Sequence, residues 1–87
     1  MKAKELAQKF NMRVGNLSEY VGYSRQGLYE VLRHGKNIDK ARFKAMLIIL
    51  QDLSNEQFKE DTEKALLAKE IRETAIKELE KRLECAE

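Results

Sequence analysis

The chain has 87 residues, a formal net charge of +2, 43% hydrophobic and 37% charged residues, which fits one small core near the lower limit for independent folding and is a globular or helical composition rather than a disordered one. Its longest unbroken apolar run, Ala45 to Leu50, is far shorter than the roughly 20 residues a bilayer requires, and the start MKAKELAQKF has no continuous apolar stretch of the signal-peptide kind. The single cysteine, Cys85, has no internal disulfide partner and no Cys/His cluster has metal-ligand spacing, so the expectation is a cytoplasmic, intracellular protein with no cofactor, no metal and no evident small-molecule ligand.

Four segments show helical spacing and none shows strand alternation. The first predicted helix covers about residues 2–10, with Leu6 and Phe10 one turn apart. A second, short helix carries Leu17 and Val21. The third begins after Ser24, and Leu28, Val31 and Leu32 mark its inner face. Ser24 suits an N-cap, Tyr23 and Leu28 have the spacing of a hydrophobic staple, and Gly35 suits a left-handed residue after the helix end. A fourth helix follows Asn37 or Asp39, with Phe43, Met46, Leu47, Ile49 and Leu50 as its apolar face. Ser54 with Gln57 then has capping-box spacing, and Leu53 with Phe58 has staple spacing. From Lys36 to Glu87 there is neither glycine nor proline, so residues 54–87 read as one long helix of roughly 50 Å. The expected fold class is therefore all-α: four short helices over residues 1–53, then a long C-terminal helix over residues 54–87.

All four glycines fall between Gly15 and Gly35. Two helices crossing over a short turn need a turn residue that tolerates positive φ, and Gly22 stands between the inner groups Leu17/Val21 and Leu28/Val31. The stretch LSEYVGYSRQGLYEVL resembles the helix-turn-helix of the phage repressor and Cro-type regulators, the Cro/C1 family. That pattern is Leu-Ala, three residues, Gly, a hydrophobic residue, Ser, three residues, then Ile or Val. Here it reads Leu17-Ser18, three residues, Gly22, Tyr23, Ser24, three residues, Leu28, and the resemblance extends over roughly residues 2–53. Ser18 stands where alanine is commoner, Tyr23 is larger than the usual Val or Thr, and Arg13 stands where the second helix has a Ser/Thr cap. Gly27, inside the third helix, costs about 1 kcal/mol relative to alanine.

The resemblance implies that the third helix lies in the major groove of double-stranded DNA. At 100° per residue, Arg25, Gln26, Tyr29 and Arg33 share one face, opposite Leu28 and Val31. Arg25 and Gln26 match the family's base-reading positions; Arg can donate two hydrogen bonds to guanine and Gln can pair with adenine. Tyr29 either packs on a thymine methyl or sugar, or covers apolar surface beside the core. Glu30 either accepts from cytosine or pairs with Arg33 or His34. Ser24, Arg33, Lys36, Asn37, Lys40 and Arg42 are implied to track the phosphate backbone without reading sequence.

Charge is divided unevenly. Through Leu53 there are ten Lys/Arg against five Asp/Glu, and from Ser54 seven against ten, so the first half can face a polyanion and the second would avoid one. The C-terminal helix carries an apolar stripe that includes Ala68, Ala75, Ile76, Leu79, Leu83 and Ala86, interrupted by Arg72. That stripe is expected to hold subunits together as a homo-oligomer, with a dimer favoured. Phe58, Leu66 and Leu67 are expected to pack on the N-terminal domain, and Glu73–Lys77 and Glu78–Arg82 to pair along the helix. No nucleophile pattern or phosphate-cradling loop points to an enzyme. The leading expectation is a nucleoid-associated transcriptional regulator. Its rivals are a DNA-packaging or assembly protein resembling small packaging subunits of phages, and a helix-turn-helix used only to bind protein.

Overall fold

The computed structural model describes residues 2–33, 39–60 and 65–85. Among these residues every regular element is an α-helix: α1 (Ala3–Lys9), α2 (Val14–Val21), α3 (Arg25–Arg33), α4 (Lys40–Glu60) and α5 (Ala65–Cys85). The fold is all-α. No helix among the described residues is long and apolar enough to cross a membrane.

The three short helices each bury a narrow apolar face. Leu6 and Phe10 of the first, Leu17 of the second, and Leu28 and Leu32 of the third are fully buried. They meet the face of α4 formed by Phe43, Met46 and Leu50, also fully buried, with Ile49 packed at its margin. Burying a side chain of that size completely contributes about 1.5–3 kcal/mol. A helix of seven to nine residues is unstable alone, so this packing is what makes α1–α3 helical.

The second half departs from the expected layout in three respects. First, Ser54 does not start a helix. α4 continues without a break from Lys40 to Glu60, so the fourth helix is as long as α5, 21 residues each. At about 1.5 Å per residue each spans roughly 30 Å, not 50 Å. Second, α5 folds back along α4 and also touches α1. Ala75, Ile76 and Leu79, three residues of the stripe expected to hold subunits together, lie in the same buried cluster as Leu6, Leu28 and Phe43. Leu83 packs against that cluster, and Ala68 is half-buried. Ala75, Ile76 and Leu79 of the stripe therefore belong to the chain's own core. Ala86 lies outside the described residues. Third, Leu66 and Leu67, expected to pack inward, are 65% and 61% exposed, and Phe58 lies at the surface beneath the Lys69 ammonium, 4.5 Å from its ring centre.

Polar side chains join α4 and α5 to their neighbours. Arg72, which interrupts the stripe, is only 3% exposed. Its Nε donates to Ser54 Oγ at 3.0 Å and its Nη2 to the Ser54 carbonyl at 3.1 Å. Ser54 thus serves as an acceptor inside the α4–α5 contact. Gln57 Nε2 donates to the Phe10 carbonyl at 2.8 Å, at the end of α1. Arg82 of α5 reaches the carbonyls of Val31 and Leu32 at the end of α3 in place of the expected pairing with Glu78. Along α5 the ion pair formed is Lys69–Glu73 at 3.8 Å, and Glu73–Lys77 is not made among the described residues.

Candidate nucleic-acid interface

The α2–α3 unit is set by backbone geometry before any surface chemistry enters. Gly22 has φ +79°, the left-handed conformation that L-residues with a Cβ avoid. Its N–H donates to the Glu19 carbonyl at 3.3 Å, and the Tyr23 N–H donates to the Ser18 carbonyl at 3.0 Å. These two bonds form a Schellman motif closing α2. The Ser18 hydroxyl donates to the Gly15 carbonyl at 2.8 Å, which satisfies the one polar group this buried position carries. Ser24 then caps α3, its Oγ accepting from the Gly27 N–H at 3.0 Å.

The remaining glycines of the unit are explained by neighbours rather than by φ. A Cβ at Gly27 would stand 2.9 Å from Ser24 Oγ, so the glycine leaves room for the cap that starts its own helix. A Cβ at Gly15 would stand 2.8 Å from the Arg25 guanidinium. Arg25 therefore lies back over the first turn of α2. That turn has no side-chain cap and no acidic residue, with Arg13 at the N-cap, so its free N–H groups and Arg25 present positive potential at one place.

On α3 the outward positions are Arg25, Gln26, Tyr29, Glu30 and Arg33, all exposed, and Tyr29 is 43% exposed. Leu28 and Leu32 anchor the opposite side, with Val31 packed at its edge. Glu30 faces Gln26, whose Nε2 lies 3.4 Å from Glu30 Oε1, rather than Arg33. Ser24 and Lys40 are exposed, and Lys40 opens α4. Asp39 caps that helix, its Oδ1 accepting from the Arg42 N–H at 3.2 Å.

Arg42 is exposed yet engaged. Its Nη2 donates to the Gly22 carbonyl at 2.6 Å, and its guanidinium lies over the Tyr23 ring, 4.4 Å from the centre. It holds the α2–α3 turn against α4. Burial raises the Tyr23 hydroxyl pKa above its ordinary value of 10.0; Arg42 opposes that rise and Asp39 adds to it. Lys36, Asn37, His34 and Gly35 lie outside the described residues.

The cations Arg13, Arg25, Arg33, Lys40 and Arg42 are exposed between the N-cap of α2 and the first turn of α4, and Lys2, Lys4, Lys44, Lys59, Lys77 and Lys81 are exposed elsewhere. Among the described residues no three His, Cys, Asp or Glu side chains converge as metal ligands. Sequence reasoning missed the contacts of Arg25 with α2, of Arg42 with the turn and of Arg82 with α3. A signal for the first was visible, since Gly15 near the start of a helix calls for a close neighbour. Comparisons with family models, characterised proteins and solved structures find no match for this chain.

Proposed function

We propose that the chain binds double-stranded DNA in a sequence-dependent manner, with α3 in the major groove, as a regulator of the repressor type. The observation that carries this reading is the outward face of α3. Arg25, Gln26, Tyr29 and Arg33 are exposed together on a helix whose other side is locked by Leu28 and Leu32. Arg and Gln have the donor and acceptor sets that match guanine and adenine edges. The surrounding cations Arg13, Lys40 and Arg42, with Ser24, suit phosphate oxygens. Arg42 keeps N–H groups beyond the one given to Gly22, so it can meet a phosphate while still bracing the turn.

Two copies on successive grooves remain part of the reading, although Ala75, Ile76 and Leu79 of the α5 stripe are buried within the chain itself. The exposure of Leu66, Leu67 and Ile71, at 65%, 61% and 43%, favours the opening turns of α5 for the contact between copies. The test is binding to a pool of random duplexes across salt concentrations, with bound sequences recovered and subunit mass measured alongside. Log affinity is expected to fall linearly with log salt, losing several tens-fold or more between about 50 and 200 mM, with recovered sequences converging on a site. Salt-independent binding, or recovery of the unselected pool, overturns the reading.

A further inference from the structure

A helix leaves its last four carbonyls without intrahelical donors. In α3 (Arg25–Arg33) the carbonyls of Val31 and Leu32 lie in the last described turn, toward the negative dipole end, where a cation is favoured. Arg82 supplies both a donor and a positive charge there. Its Nη1 donates to the Val31 carbonyl at 3.4 Å and to the Leu32 carbonyl, from 50 residues further along the chain.

The stem of Arg82 is not free to wander. It is half-buried, and it stands between Leu79, 1% exposed, and Leu83, which packs on the core. α5 is thus fixed to the core one turn before the guanidinium, and the guanidinium is fixed to the end of α3.

We propose that Arg82 is a positioning residue for α3: it clamps the C-terminal carbonyls, and with them the angle at which Arg25, Gln26, Tyr29 and Arg33 face outward. The proposal rests on the DNA-binding reading for its consequence but not for the clamp itself. Leu28 and Leu32, with Val31 at the margin, hold α3 to the core by apolar contact; Arg82 adds a polar hold near the helix end.

The experiment uses the full chain with Arg82→Met, which keeps an apolar stem, and Arg82→Lys, which keeps the charge but loses the planar fork. Amide hydrogen exchange is followed residue by residue, beside binding to the duplex recovered from the random pool. In Arg82→Met, exchange at Leu32 and Arg33 is expected to rise about tenfold relative to amides in α1 and α4, the ratio for loss of one hydrogen bond to a charged group. Duplex affinity is expected to fall with it, and Arg82→Lys to lie between. An unchanged rate, or an equal rise in every helix, overturns the clamp. Faster exchange in α3 with undiminished duplex affinity overturns its positioning role. If the parent chain binds no duplex, the DNA reading fails, and the exchange rates alone decide the clamp.

Discussion

In α1 and α2 the chain closes its helix ends with its own backbone, whereas α4 and α5 are tied to the rest of the molecule by long side chains. α1 ends in the same way as α2. Asn11 adopts φ +55°, its N–H donates to the Gln8 carbonyl at 3.0 Å, and the Met12 N–H donates to the Ala7 carbonyl at 2.9 Å. Two successive Schellman motifs let three short helices pack around one core with very short connections. The later helices instead depend on Arg72, Gln57 and Arg82 finding carbonyls and a hydroxyl on other elements. Local closure specifies turns that are readable in sequence. Distant closure specifies how α4 and α5 are docked, and it leaves little trace in the local pattern.

The most severe way to break the second mode is to empty the space α5 fills. Leu79→Ala should destabilise the fold by about 2–5 kcal/mol, the range for a buried leucine, measured by urea unfolding of the full chain. If α5 were only a subunit contact, the variant would lose association and keep its monomer stability. Ser54→Ala should cost about 1–3 kcal/mol, because the buried Arg72 Nε–H loses its acceptor. An effect below a few tenths would place Ser54 in the class of surface serines. Against these, Gly22→Ala tests local closure. It should cost about 1–2 kcal/mol for forcing a Cβ into the left-handed region, while space at that position is open. A neutral result would mean that the turn relaxes to another geometry.

The smallest effect concerns Tyr23. Its hydroxyl pKa is raised by burial, so the folded state holds that proton more tightly than the unfolded state does. The associated stability is fully present below the ordinary value of 10.0 and is lost as pH rises through the folded value. Stability should therefore decline above about pH 10, and Tyr23→Phe should lessen that alkaline decline. An identical profile in the two proteins would remove Tyr23 from the account.

What could be read from the sequence follows the same division. The Ser24 cap, the left-handed Gly22 and the inner faces of α1–α3 were legible because each depends on residues within one turn of each other. Ser54 was misread for the same reason. Ser-x-x-Gln is a local signal for a helix start, yet here the hydroxyl is needed by Arg72, 18 residues away. The apolar stripe of α5 was found, but a stripe carries no information about whether its cover is the same chain or another. Arg72 within that stripe was the available clue. A cation buried on an apolar face needs acceptors, and here Ser54 of α4 supplies them.

Because Ala75, Ile76 and Leu79 complete a core begun at Ala3, the molecule has a definite order of assembly during its own synthesis. At about 5–20 residues per second, the interval between the emergence of Leu32 and that of Arg82, 50 residues later, is several seconds. Until α5 arrives, the part of the core that Ala75, Ile76 and Leu79 complete is open. The first sixty residues thus form an incomplete intermediate whose bare face is the one α5 later covers. Such a surface is a target for holding chaperones and for aggregation.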